Sequence, residues 1–214
     1  MAPRPYSSPL REAEAARTRR RIVEAAGVLF ARDGYAVTTM KAIAEEAGVS
    51  VQSVHLAGPK AALLIAAFEV SFAGDEGSHS LSERPAMAEI MARDRLDDVI
   101  AGWLDYVAAA NARTVGLSRA MLTAGEMDSV AAEAVADLEA RRRRDLRVAA
   151  GWMVERGLLP PEDAEHVADE LNLLVGPEVH DFFVVRSGWT PEAYRRWMED
   201  TLRGMLARWG AGPG

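Results

Sequence analysis

The segment from Thr38 to His55 constrains the fold of this chain most strongly, because a single glycine, Gly48, separates two short amphipathic stretches. Two alanines stand one and four residues ahead of the glycine, and side chains that small let two helices cross closely. Gly48 can adopt the positive φ of a tight turn, and apolar residues follow it at Val49 and Val54. These offsets predict a helix-turn-helix.

Further helices are predicted on both sides of this segment. Apolar residues between 15 and 32 recur at i, i+4, i+7 and i+8, which is the spacing of one helix face, and Gly34 ends that helix. Beyond the turn, a fourth helix is predicted over residues 60–72. The residues suited to begin the later helices are Thr38 or Thr39 for the second, Ser50 for the third and Pro59 for the fourth.

The rest of the chain continues in helical patterns. Ala, Leu, Glu and Arg dominate, and stretches that alternate apolar and polar residues, as strands do, are absent. We therefore predict an all-α protein of about nine or ten helices, with an N-terminal three-helix head and a larger helical C-terminal domain. The predicted division is a disordered arm at 1–14, a helix-turn-helix domain at 15–58, a connecting helix at 59–74, the larger domain at 75–210 and a tail at 211–214.

The distribution of charge favours nucleic acid as a partner of the head. Residues 1–60 hold nine Lys and Arg against six Asp and Glu, which leaves +3. Because the whole chain carries −7, the remaining residues carry −10. A basic head on an acidic body is typical of a small DNA-binding unit joined to a domain that does not bind DNA.

Composition excludes several other classes of protein. The chain has no cysteine, so disulfides and thiolate sites are excluded. The longest apolar run, residues 61–68, is far too short to span a bilayer, and no signal-peptide core is visible. We expect a cytoplasmic protein that does not associate with membranes.

An enzyme is not expected, because no Gly-rich phosphate loop or nucleophile motif is present. Glu162, His166 and Glu170 follow one another at i, i+4 and i+8, which is a possible metal-ligand spacing. Surface ion pairs explain the same spacing, and no other ligand cluster accompanies these residues. We expect no catalytic residues, metal or cofactor.

Blocks of residues around the predicted helix-turn-helix resemble the TetR family of transcriptional regulators, over roughly residues 16–66. Residues 188–202 are also similar to an actinobacterial subgroup of that family. One departure follows the third helix, where the family usually has a Tyr at the position of His55 and a Phe soon after. The matching blocks are Arg19-Arg20-Arg21-Ile22-Val23-Glu24-Ala25-Ala26, Leu29-Phe30, Asp33-Gly34-Tyr35, Thr38-Thr39, Ile43-Ala44, Ala47-Gly48-Val49-Ser50 and Lys60 with Leu63-Leu64.

The resemblance implies roles for residues of the head. The start of the second helix and the start of the fourth would contact phosphate, with added attraction from the first helix. Gln52 would read bases in the major groove, and Val51 would contact a thymine methyl group. The residues expected to bind DNA are Thr38, Thr39, Lys41, Ser50, Val51, Gln52, Ser53, His55 and Lys60.

The resemblance also implies a ligand pocket and a dimer interface in the larger domain. Residues expected to line the pocket, or simply to fill the core, are Trp103, Met121, Trp152, Met153, His180 and Phe183. In the family, the last two long helices of each subunit form the dimer interface. The residues expected there are Leu171, Leu174, Tyr194, Trp197, Met198, Leu202 and Met205.

Together these features predict a homodimeric regulator of the TetR type, acting as a repressor on a roughly palindromic double-stranded operator. A small, largely apolar effector would release it from the DNA. The altered segment between His55 and Lys60 leaves a second hypothesis open. In that hypothesis the chain is a dimeric small-molecule-binding or partner-binding protein whose DNA-binding head is weakened.

Overall fold

The computed structural model describes residues 9–77 and 81–210, and every regular element in those ranges is helical, which confirms the all-α prediction. Short 3-10 turns cover Leu81–Glu83 and Pro161–Asp163, and α9 continues into a π-helical turn at Asp181–Arg186. The helices are α1 Pro9–Asp33, α2 Met40–Ala47, α3 Val51–Ala57, α4 Lys60–Ala73, α5 Pro85–Met91, α6 Leu96–Met127, α7 Ser129–Glu155, α8 Ala164–Leu174, α9 Pro177–His180 and α10 Pro191–Gly210.

Two helices are longer than the sequence pattern predicts. α1 begins at Pro9, so residues 9–14 of the predicted arm are helical, whereas residues 1–8 and the predicted tail 211–214 lie outside the described residues. Apolar spacing alone predicts two helices, 94–113 and 117–123, whereas α6 runs unbroken through both. Gly116 lies inside this helix, with its backbone against α1.

The head shares an apolar core with the C-terminal part of α6. Ile22, Phe30 and Leu64 are among its fully buried side chains, and they belong to a single cluster that also draws on α6 and α7. The head therefore packs on the body and does not stand apart from it. The residues that α6 and α7 contribute to this first cluster are Leu117, Ala120, Met121, Ala124 and Ala131.

A second apolar cluster fills the distal half of the protein. It joins α5, the N-terminal half of α6 and the C-terminal part of α7 to α8 and α10. Trp103 and Leu104 contribute from α6, and Met153 contributes from α7. The body thus has a core of its own, which α6 and α7 connect to the core of the head.

The residues expected at the dimer interface lie in this second cluster, within a single chain. Trp197 is half-buried there, and the other six are buried. Each of these helices does have an apolar face, but helical spacing does not distinguish packing inside one chain from packing between two chains. In this conformation these side chains are not available to a second subunit. The six buried residues are Leu171, Leu174, Tyr194, Met198, Leu202 and Met205.

Head and body approach each other closely where α1 and α6 cross at Gly116. A Cβ atom on Gly116 would lie 2.9 Å from the carbonyl oxygen of Ala31 and 3.0 Å from its Cβ. The two backbones can approach this closely only because residue 116 has no side chain.

No single helix in the described ranges is long and apolar enough to cross a membrane. Only α3 and α4 together, bent by 73° at the break between them, reach that length and composition.

Gly116→Ala should destabilise the protein, because the added methyl group overpacks the crossing of α1 and α6 at a cost of about 1–3 kcal/mol. Urea unfolding measures this difference. Gly151→Ala is the matched control, since Gly151 lies inside α7 and no atom stands within 4 Å of its Cβ position. That control should gain about 0.5–1 kcal/mol from helix propensity alone. Equal stability of the two variants would contradict the close crossing.

Candidate nucleic-acid interface and ligand cavity

α2 and α3 are capped at both ends by local hydrogen bonds. The hydroxyl of Thr39 accepts the N–H of Ala42 at 3.0 Å, and the hydroxyl of Ser50 accepts the N–H of Ser53 at 3.1 Å. Between the helices, Gly48 has a φ of 63°. Each helix is short, so these caps and the apolar contacts beneath them define its length. The result is the helix-turn-helix that the sequence predicted.

Arg21 of α1 fastens the turn to the rest of the head. Its guanidinium donates to the carbonyl of Ala47 at 2.5 Å, at the C-terminal end of α2. A Cβ on Gly48 would lie 2.9 Å from Nη2 of Arg21. Gly48 is therefore needed for its positive φ and also for the room that this arginine occupies. Arg21 was matched to the family in sequence, but this contact was not predicted.

The outer face of α3 is exposed over its whole length. Val51, Gln52 and His55 point away from the core, whereas Val54 on the inner face is fully buried. The hydroxyls of Ser50 and Ser53 lie 2.9 Å apart at the start of this helix. The predicted base-reading residues thus share one accessible surface, which we call the recognition face.

The two threonines ahead of α2 differ in accessibility. Thr38 is 3% exposed and its hydroxyl donates to the carbonyl of Gly34 at 2.8 Å, so it serves the fold. Thr39 is exposed and caps α2. Lys41 is exposed in the first turn of α2 and forms only a loose pair with Glu45 at 3.7 Å. This geometry favours Thr39 and Lys41 over Thr38 as phosphate contacts.

Comparison with known proteins agrees with this geometry. Residues 22–67 match the family described as bacterial regulatory proteins, tetR family. The N-terminal domain belongs to the TetR family. No curated protein matches the chain in sequence.

A solved structure is similar to this protein along almost its whole length. It is that of a proposed transcriptional regulator from Pseudomonas aeruginosa PAO1, with a TM-score of 0.64 and 17% sequence identity. The match covers 94% of this chain and 93% of that chain. At that identity, the similarity concerns the fold of the two proteins. The TetR-type head therefore stands on a helical body of a kind already seen in a solved structure.

Two basic residues of the TetR-type head are held by contacts within the chain. Nζ of Lys60 lies 4.2 Å from the ring centre of Tyr35, and burial lowers the pKa of its ammonium group, with a partial offset from Asp128. Arg19 donates to the carboxylate of Glu76 at 2.6 Å and to the carbonyl of Ala57, the last residue of α3. Neither side chain is free to reach a phosphate without giving up these partners.

Tyr35 and Asp128 form a direct polar link between the head and α7. The hydroxyl of Tyr35 donates to Oδ2 of Asp128 at 2.7 Å. Oδ1 of Asp128 caps α7, since it accepts the N–H groups of Val130 at 2.9 Å and Ala131 at 3.2 Å. The hydrogen bond from Tyr35 lowers the pKa of the Asp128 carboxyl, and the backbone bonds lower it further. No sequence pattern pointed to this link, because the two residues are 93 positions apart.

A cavity of about 150 Å³ lies between the two apolar clusters. Met121 belongs to the first cluster and Trp103 to the second, and both line it as predicted. The wall is mainly apolar. Further apolar residues around the cavity are Phe68 and Phe72 of α4, Val107 of α6, and Val135, Leu138 and Leu146 of α7.

The other four residues expected in the pocket do not line this cavity. Trp152 stacks under the guanidinium of Arg156, and Met153 is buried in the second cluster. His180 packs edge-on against the ring of Tyr194, and Phe183 packs against Trp189 and Trp197. An aromatic or sulfur-containing residue on an apolar stripe fits a cavity wall and a filled core equally well. The four residues that were expected in the pocket but lie outside this cavity are Trp152, Met153, His180 and Phe183.

Polar groups occupy the side of the cavity nearest α8. Asn111 is fully buried, and its amide donates to the carbonyl of Val175 at 3.0 Å. Arg142 donates to the carbonyl of Asn172, and burial lowers the pKa of its guanidinium. Arg141 pairs with Glu69 of α4 at 2.7 Å. These side chains were not predicted, because each acts through a contact with a distant helix.

Of the row Glu162, His166 and Glu170, the last two take part in side-chain pairs on the surface. Glu170 pairs with Arg208 at 2.5 Å and accepts the indole N–H of Trp209 at 3.2 Å. The ring of His166 stacks on that indole. Within the described residues, no group of three or more His, Asp or Glu is placed to hold a metal ion.

Tyr35→Phe should lower the free energy of unfolding by about 1 kcal/mol at pH 7, because it removes the hydroxyl that donates to Asp128. Since the pKa of Asp128 is lowered on folding, the contribution of this bond is complete above the ordinary carboxyl pKa of 3.8 and is lost as pH falls through the lower folded-state pKa. Urea unfolding of both proteins across this range measures the difference. Tyr106→Phe is the control and should show no such pH dependence.

Proposed function

We propose that this protein is a homodimeric TetR-type repressor that a small, largely apolar effector releases from a roughly palindromic operator. The recognition face is the observation that carries the DNA-binding part. It presents polar and apolar side chains to solvent on a short helix whose position is fixed by Gly48 and Arg21. A helix of this kind fits the major groove, and two copies in a dimer would contact successive grooves about one turn apart.

The proposed roles within the head follow accessibility. Gln52 is the candidate base reader, and Val51 is the candidate contact for a thymine methyl group. Ser50, Ser53 and His55 border the same face. The exposed residues Thr39 and Lys41 are proposed to contact phosphate at the start of α2.

The position of the cavity supports release by an effector. Its walls come from both apolar clusters, and the first of these clusters contains the core of the head. A molecule that fills the cavity would change how the body packs against the head. Release follows if the effector binds more tightly to the arrangement that fits DNA poorly.

A chain of polar contacts supports a route from the cavity to the recognition face. Glu69 lines the cavity, and its carboxylate accepts from Arg141 at 2.7 Å and from the N–H of Gly77 at 3.1 Å. The neighbouring residue, Glu76, holds Arg19, and Arg19 in turn holds the last carbonyl of α3. A shift of α7 at the cavity would therefore displace the C-terminal end of α3, which carries the recognition face.

The dimer is proposed to use apolar side chains that the single chain leaves exposed. Four of them lie in the distal part, on α8 and around the π-helical turn. They provide apolar area near the helices that the family resemblance assigns to the interface. These residues are Leu173, Phe182, Val185 and Trp189.

One observation favours the alternative, a partner-binding or ligand-binding protein with a weakened head. Lys60 is turned onto Tyr35, and Leu56 is 81% exposed at the end of α3, where an aromatic pair is usual in the family. The two functions are separated by binding of the protein to the intergenic DNA beside its own gene at low salt. No binding there would contradict the repressor.

Gln52→Ala should reduce the preference for operator over unrelated DNA by about 5-fold to 150-fold, because one bidentate base contact is worth about 1–3 kcal/mol. Lys41→Gln should weaken binding to both DNAs alike and lower the salt dependence by about one counterion. Fluorescence anisotropy with labelled duplexes at several salt concentrations measures both effects. Arg143→Gln removes an exposed charge from α7 and should change neither. Equal effects of the Gln52 and Lys41 variants on the two DNAs would contradict the assigned roles.

Arg19→Gln should loosen the end of the recognition helix, because it removes the donor to the carbonyl of Ala57 and the ion pair with Glu76. We expect faster amide hydrogen exchange over residues 54–58 and weaker DNA binding. Arg20→Gln is the matched control, since Arg20 is the exposed neighbour on the same helix. Identical exchange in the two variants would show that the contact chain does not reach α3.

A further inference from the structure

Three arginines line the cavity, and two of them are neutralised by carboxylates of the chain. Arg84 pairs with Asp75. Arg141 pairs with Glu69 at 2.7 Å and with Asp137 at 3.2 Å. The charges of these two side chains are therefore compensated before any ligand binds.

Arg142 differs from the other two arginines. Within the described residues no carboxylate lies within 4.0 Å of its guanidinium, and its hydrogen bond goes to the backbone carbonyl of Asn172. Burial lowers its pKa, and the more distant carboxylates of Glu178 and Glu139 only partly offset that effect. A charge withdrawn from water without a counter-ion is costly, so an anion that reaches it gains both the charge and the remaining N–H donors.

Four acids line the cavity. Glu139 and Glu178 are exposed, and Glu69 is already paired with Arg141. Asp145 accepts the N–H of Leu81 at 3.0 Å. Exposed charges are screened by water and salt, whereas the side chain of Arg142 is half-buried and burial lowers the pKa of its guanidinium. The local field next to Arg142 therefore favours an anion.

The remainder of the wall selects an apolar body for the ligand. Phe68, Phe72, Trp103 and Met121 surround the space, and a cavity of about 150 Å³ is large enough for one benzene ring. A molecule with several charges would leave some of them facing these rings. A single negative group attached to a ring-sized body matches both halves of the cavity.

We propose that this cavity binds a small apolar carboxylate, with its ring among the aromatic side chains and its carboxylate on the guanidinium of Arg142. This inference rests on the proposed function, because it assigns a chemical class to the effector. Arg142 also has a structural role, since it caps the C-terminal turn of α8, where a cation is favoured. The two roles are separated by ligand preference, which a purely structural arginine would not affect.

The test uses three probes of nearly equal shape and different charge, namely phenylacetate, phenylacetamide and phenethylamine. Each is titrated into the full chain by calorimetry, with tryptophan fluorescence as a second readout because Trp103 lines the cavity. We expect phenylacetate to bind at least about tenfold more tightly than the amide, and the amine to bind most weakly, because a charge-assisted hydrogen bond to a buried group is worth about 1.5–3 kcal/mol. The inference is overturned if the amide or the amine binds as tightly as the carboxylate, or if none of the three binds.

Two variants assign the preference to one side chain. Arg142→Gln should bring the affinities for phenylacetate and phenylacetamide within about twofold of each other, whereas Arg143→Gln, an exposed neighbour on α7, should keep the full preference. A preference that survives in a folded Arg142→Gln protein overturns the assignment. If that variant does not fold, the comparison of the three probes in the natural chain still decides the inference.

Parallel measurements with promoter DNA separate this inference from the proposed function. Carboxylate binding that leaves DNA affinity unchanged would contradict release by an effector and would leave the ligand class standing. DNA binding without any carboxylate preference would overturn the ligand class and leave the DNA-binding proposal standing.

Discussion

The rest of the structure depends on the packing of α1 against α6 at Gly116. At this point a helix of the head and the longest helix of the body approach closely enough to exclude a single methyl group. The contact lets one apolar cluster run from the helix-turn-helix into the C-terminal part of α6. Because interiors are close-packed, a displacement of α6 is carried into the head and is not absorbed by loose contacts. A displacement of the cavity wall on α6 would therefore also displace the head.

Local sequence predicts the parts of the head that are set by local hydrogen bonds. Gly48, Ser50 and one of the two threonines at 38 and 39 were identified because a turn or a cap involves residues at most a few positions apart. The choice between those threonines was not predictable, since it depends on the hydrogen bond of Thr38 to Gly34 and on burial. The helices of the body were predicted from the periodicity of apolar residues. Which helix each apolar face packs against was not predicted.

Long-range contacts explain most of what sequence reasoning missed. Arg19 and Arg21 lie on the first helix, from which only a general attraction to DNA was predicted, yet both bind backbone carbonyls at the ends of helices in the head. Trp103 lines the cavity, whereas Phe183 belongs to an aromatic group elsewhere. Charge and apolar spacing show that a residue needs a partner. They do not show which partner it has, because the partners of Arg21, Arg19 and Tyr35 lie 26, 38 and 93 positions away along the chain.

Asp128 is the single residue between α6 and α7, and it also holds Tyr35 of the head. Because a single residue joins them, the two helices have little freedom to slide along each other at this end, and a tilt of α7 relative to α6 would turn about Asp128. At a rise of 1.5 Å per residue, Arg141 lies about 20 Å from Asp128 along α7, so a rotation of about 5° would move it by about 2 Å. The far end of α7 would move roughly twice as far. A small tilt of α7 close to the head would thus become a larger displacement at the distal end of the same two-helix hairpin.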